Sequence, residues 1–85
     1  MNEKQRVIKV LAEDKPGVLM RVANIVTAKG VNIAHLKVAP EPHRTGLSSI
    51  VITANLELRF QRRVVDEMNR LVNVISAIDV TERQT

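Results

Sequence analysis

The 85-residue sequence has no cysteine, tryptophan or tyrosine, a single phenylalanine (Phe60), three glycines and three prolines. Each scarcity removes a class of function. Without cysteine there is no disulfide framework, no thiolate metal site and no thiolate nucleophile, a composition suited to a reducing cytoplasm. With Phe60 as the sole aromatic residue there is no stacking platform for single-stranded nucleic acid. The formal charge of +4 is therefore not read as a nucleic-acid signal, and its one local surplus, Arg59, Arg62 and Arg63, is read as the solvated face of a helix. Apolar runs fall well short of the roughly 18 residues that a membrane helix needs, and the opening Met1-Asn2-Glu3-Lys4 lacks a signal-peptide core. A soluble cytoplasmic protein without a membrane partner is expected.

Catalytic machinery is equally thin. Ser48, Ser49 and Ser76 are the only serines, and none sits in a glycine-flanked elbow. His35 and His43 lie eight residues apart without the clustered carboxylates or thiolates that a metal site wants. Glu13 and Asp14 are adjacent, so at a strand end they point in different directions. Gly17 alone is too few glycines for a phosphate cradle. No catalytic residue, metal or cofactor is expected of this chain. An acylphosphatase-like enzyme is the catalytic alternative, but that chemistry wants an arginine between the first strand and the first helix, where the chain offers Lys15.

Hydrophobic residues make up 45% of the chain and charged residues 26%, as in globular domains. Eighty-five residues suit one domain spanning 1–85, with a core over about 6–80 and frayed polar tails at Met1 to Gln5 and Thr81 to Thr85. A core this small gains from self-association. Arg6 to Glu13 is dense in β-branched residues and apolar on both faces (Ile8, Val10 and Ala12; Val7 and Leu11), which predicts a central strand. Asp14-Lys15-Pro16-Gly17 breaks it, and Pro16 suits the start of a helix whose apolar stripe is Leu19, Val22, Ala23 and Val26, stopped by Gly30. In Val31 to Pro40 the apolar parity slips by one residue between Asn32 and Leu36, which predicts a bulge in the second strand or a late start of it. Pro40 to Gly46 is a loop, and Leu47 to Ala54 a third strand. Phe60, Val64, Met68 and Leu71 mark a second helix from Glu57, and Val72 to Val80 a fourth strand. The order βαββαβ, with right-handed crossovers, gives an α+β ferredoxin-like sandwich: a four-stranded antiparallel sheet with two helices on one face.

One feature of this layout bears on binding. The first N–H groups of the first helix lack intrahelical partners and carry partial positive charge, and Gly17 has no Cβ to keep a ligand from the backbone. A small carboxylic acid would fit there. On spacing alone, Gly17 could equally serve only the turn and Asp14 only cap the helix.

The ordered words Glu13-Asp14-Lys15-Pro16-Gly17-Val18-Leu19, Arg21-Val22-Ala23 and Lys29-Gly30-Val31-Asn32-Ile33 resemble the ACT domain, a βαββαβ amino-acid-binding module. Asn32-Ile33 running through Leu36 to Val38-Ala39-Pro40 is similar to the small regulatory subunit of acetolactate synthase, also called acetohydroxyacid synthase. The resemblance implies feedback control. A branched-chain amino acid, usually valine, would bind where two ACT domains meet and act on a thiamine-diphosphate-dependent catalytic large subunit. By matching positions, Asp14, Gly17, Val18 and Leu19 would meet this effector from one protomer of a homodimer, and Asn32 and Ile33 from the other. The chain departs from the family at Asp14, where an asparagine is frequent, and at Lys37, where a hydroxyl-bearing residue is. A free-standing ACT module serving another enzyme is the alternative within the same family.

Overall fold

The computed structural model describes residues 4–81. Its elements are β1 (Lys4–Glu13), α1 (Val18–Thr27), β2 (Ile33–Pro40), β3 (Leu47–Leu56), α2 (Leu58–Asn69) and β4 (Val74–Asp79), and the sheet runs β2-β3-β1-β4, all neighbours antiparallel. This is the expected sandwich, with β1 inside the sheet and β2 and β4 at its edges.

Core formation follows the strand pleat. Ile8 faces Ile52 and Val10 faces Ile50 across the β1–β3 pair, and all four are buried under the helices. From above, Val18, Val22 and Val26 of α1 and Val64 and Met68 of α2 close the layer. Each fully buried side chain of this kind contributes about 1.5 to 3 kcal/mol. Of the two outcomes expected for the slipped parity both occur: β2 starts late, at Ile33, and its register shifts between Ile33, opposite Ala54, and His35, opposite Thr53. The extra residue lets Ile33, Leu36 and Val38 share the helix-bearing face despite their uneven spacing.

Several boundaries differ from the sequence reading. β1 begins at Lys4, because its pairing with β3 continues to Lys4 opposite Leu56. Thr81 is also anchored, its hydroxyl oxygen accepting the Val7 N–H at 3.0 Å. The rest of the expected tails, 1–3 and 82–85, lies outside the described residues. α1 starts at Val18, not Pro16, since Gly17 at φ 84° is not helical. Its buried stripe centres on Val18 instead of Leu19, which is 36% exposed. β4 starts at Val74, leaving Val72 in the preceding turn and 93% exposed.

Gln61 was not foreseen in the core. It is buried beside Val64 and Met68, and among the described residues neither its Nε2 nor its Oε1 has a hydrogen-bond partner. The amide lies near Asp79 without reaching hydrogen-bond geometry. Burial pushes the Asp79 carboxyl up, but the Thr81 hydroxyl and N–H, the Gln61 amide and the Arg6 guanidinium outweigh it and hold the carboxyl below its ordinary value. An unpaired buried amide costs about 1 to 3 kcal/mol. Gln61→Met, similar in length and apolar, is therefore expected to raise unfolding stability by about 1 kcal/mol in urea melts; a loss of stability would mean that the amide has a partner in solution.

Candidate functional site

The two sheet edges are built differently. At β4 the outward backbone is occupied at its centre by a side chain: the Ala77 N–H donates to Asn69 Oδ1 at 2.9 Å, and Asn69 Nδ2 donates to the Ala77 carbonyl at 3.0 Å. The Asn69 carboxamide thus stands where a neighbouring strand would be and blunts that edge. At β2 no side-chain hydrogen bond of this kind occurs among the described residues. The Glu41 N–H donates to the Leu47 carbonyl at 2.9 Å, which sets the phase of the β2–β3 ladder. By alternation, Lys37 and Ala39 pair inward while Leu36 and Val38 turn their N–H and C=O groups outward. Pro40 falls in the outward phase, where its missing N–H removes no bond to β3. Leu36 and Val38 are also 45% and 46% exposed, because the helices do not reach across to this strand. Asn69→Ala is expected to cost about 1 to 2 kcal/mol in denaturant melts, chiefly through the two bonds lost to Ala77 and with them the Nδ2 bond to the Val65 carbonyl, and to open a second edge, seen as concentration-dependent assembly in sedimentation.

The start of α1 is the second feature. The chain leaves β1 through Asp14, whose N–H donates to the Gly46 carbonyl at 2.9 Å, and turns at Lys15, whose carbonyl accepts the Val18 N–H at 3.2 Å. Gly17 occupies the cap position with φ 84° and ψ −14°, a conformation that costs other residues dearly. Among the described residues no side chain caps the helix, and its first turn holds no acidic residue. Asp14 is exposed and caps nothing, so the purely structural role considered for it is not the one it plays. The Gly17, Leu19 and Met20 N–H groups have no acceptor among the described residues, which leaves the positive end of the helix uncovered.

Arg21 adds to it. Its guanidinium lies over Gly17, with a terminal nitrogen 3.6 Å from where a Cβ would stand. Among the described residues it has no carboxylate partner. A hollow of about 250 Å³ opens beside it, lined by Val18, Arg21, Leu71, Val72 and Asn73. Together the amides, the guanidinium and this partly aliphatic floor suit a small molecule with a carboxylate and an apolar side chain. In the sequence Arg21 stands out only within the words Arg21-Val22-Ala23; the signal that could have found its role is its spacing of four from Gly17, one helical turn.

The remaining predicted residues are dispersed. Val18 is 3% exposed, so its side chain belongs to the core, and it borders the hollow only at that core's margin. Leu19 is on the surface. Asn32 is exposed and Ile33 half-buried at the start of β2. Ile33 stands opposite Ala54, and Ala54 opposite Arg6, whereas Glu13 leads into Gly17. Seven residues of extended strand, roughly 23 Å, separate the two ends. One protomer therefore keeps Asn32 and Gly17 at opposite ends of its sheet.

This β2-β3-β1-β4 sandwich with an uncovered first helix is an ACT domain. The ACT domain of GTP pyrophosphokinase from Chlorobium tepidum superposes with a TM-score of 0.75 over 91% of the chain and 97% of its own length, at 13% identity, a likeness of fold alone. More narrowly, residues 8–76 match the family described as AHAS small subunit-like ACT domain, and the chain belongs to that family. The acetolactate synthase small subunit of Mycobacterium bovis is 38% identical over 80 residues, covering 93% of this chain and 46% of that protein. The solved acetolactate synthase small subunit of Thermotoga maritima superposes with a TM-score of 0.78 at 26% identity, over 89% of this chain and 47% of that one. The chain thus spans about half the length of the relatives it matches.

Proposed function

We propose that the chain is a regulatory small subunit of acetolactate synthase that has no active site of its own and binds a branched-chain amino acid, valine foremost, where two copies meet along β2. The observation that carries this reading is the separation of the Gly17 and Asn32 ends within one protomer. A two-fold axis beside β2 pairs the strand with its twin antiparallel, and so brings the partner copy's Asn32 and Ile33 toward the end of the sheet where α1 begins. The unpaired outward groups of Leu36 and Val38 favour that edge for pairing, and Asn69 disfavours the other.

In such a site the ligand carboxylate lies on the Gly17, Leu19 and Met20 amides with Arg21 beside it. The Asp14 carboxylate and the Asn32 carbonyl oxygen accept from the ammonium. Each charge-assisted hydrogen bond contributes about 1.5 to 3 kcal/mol. The aliphatic chain is selected by size, at about 1 to 3 kcal/mol per methylene. A ligand that bridges both copies favours one arrangement of the pair over another, and that difference is what a thiamine-diphosphate-dependent catalytic subunit docked to the pair would sense.

Titration calorimetry of the chain with valine, leucine, isoleucine and alanine tests the ligand. Saturable binding of valine, with alanine at least tenfold weaker, is expected; no heat from any of the branched-chain amino acids would remove this reading.

A further inference from the structure

The sheet face opposite the helices carries a pattern that amino-acid binding at α1 does not use. In register across four strands, its central row reads Lys37 on β2, Val51 on β3, Lys9 on β1 and Ile78 on β4. An uncovered face of an antiparallel sheet is ordinarily polar. Here Ile78 is 43% exposed, Val51 is half-buried, and Leu11 lies one row away. The β2–β3 loop rises beside this row through Pro42 and His43 and walls a groove of about 800 Å³. Neither lysine has a carboxylate partner among the described residues. Glu41, the carboxylate lining the groove, accepts the His43 N–H at 3.3 Å and holds the loop.

We propose that this face docks an amphipathic helix of a protein partner, with its apolar side on Val51 and acidic residues along both flanks. The dimensions and the charge argue for that occupant. Lys9 and Lys37 stand two strand spacings apart, roughly 10 Å, and a helix with its side chains is about 10 to 12 Å wide. A helix laid along β3 therefore sits between the two ammonium groups, within reach of carboxylates on either flank. A second copy of this chain is a poor occupant, because a two-fold axis through the face sets one Lys9–Lys37 row against the other. The proposal deepens the reading of the chain as one subunit of a larger assembly, since it supplies that assembly with a contact on the outer sheet face, distinct from the outward backbone groups of β2 and from the effector.

Two 21-residue helical peptides serve as probes, identical along a Leu/Ala stripe, one flanked on both sides by glutamates and the other by lysines. Titrated against the whole chain, the glutamate peptide is expected to bind at least tenfold more tightly than the lysine peptide. K9E/K37E reverses the order, K9A/K37A removes the preference without reversing it, and R62E/R63E on α2 leaves it as it was. All these positions are exposed, so the variants are expected to fold, which circular dichroism checks before the titrations. Equal binding of the two peptides, or a preference abolished by R62E/R63E and untouched by K9E/K37E, overturns the docking face. A chain that shows the lysine-dependent preference but binds neither valine nor purified acetolactate synthase catalytic subunit supports the face and removes the acetolactate synthase reading.

Discussion

Replacing Gly17 with alanine is expected to weaken valine binding by tenfold to a hundredfold and to lower stability by about 1 kcal/mol. The two effects have separate causes. At φ 84° a Cβ costs about 1 to 2 kcal/mol, partly offset by the 0.4 to 1 kcal/mol, approximately, that alanine gains by restricting the unfolded chain. The new methyl meets Arg21 at 3.6 Å, an ordinary contact, so the fold tolerates it. It does fill the space between the guanidinium and the open amides, where the ligand carboxylate belongs. Losing one charge-assisted bond of about 1.5 to 3 kcal/mol corresponds to roughly one to two powers of ten in affinity. Calorimetry on folded protein reads the affinity and urea melts read the stability. If Gly17 serves only the turn, the melts shift and the affinity does not. Arg21→Lys keeps the charge and loses the planar fork, so a smaller loss of affinity without a change in stability is expected from it.

Val38→Lys is expected to weaken self-association about a hundredfold while leaving each protomer folded. The side chain lies on the helix side of an edge strand and is 46% exposed, so a protomer alone depends little on it. In a β2–β2 pair it is buried twice, once from each copy. Removing about 1 to 1.5 kcal/mol of apolar burial per copy, and bringing two ammonium groups near the two-fold axis, gives close to 3 kcal/mol, or about two powers of ten in the dimer dissociation constant. Sedimentation velocity over a concentration series reads it directly. Ile75→Lys on β4 is the control, an equally exposed apolar residue at 50% on the edge that Asn69 blunts; a loss of association as large as that of Val38→Lys would place the interface elsewhere. Because the proposed effector spans the pair, Val38→Lys should also weaken valine binding, and Ile75→Lys should not.

Much of the architecture was legible in the chain because it rests on short-range periodicity. β1 announced its central position by being apolar on both faces. The slipped parity between Asn32 and Leu36 foretold a bulge or a late strand start, since one extra residue returns side chains of uneven spacing to the same face of a pleated strand. The uncovered helix start was readable from Pro16-Gly17. What the pattern could not show were contacts made between elements. Asn69 reads as an ordinary residue at the end of a polar helix, yet it closes the β4 edge only because α2 packs beside that strand. Gln61 reads as surface, and is buried because α2 is rotated toward Val64 and Met68. Asp14 reads as a helix cap, but the left-handed turn at Gly17 pushes the helix start to Val18 and leaves the carboxylate behind.

The sequence alone determined the order of elements, the face each one buries and the glycine turn before the first helix, since alternation, helical spacing and backbone sterics act over a few residues. Only the tertiary structure decided that Arg21 lies over that turn, that one edge of the sheet is blunted and the other open, and that Lys9 and Lys37 flank Val51. Those relations join residues far apart in the chain, and strand register and helix packing, not local preference, set them.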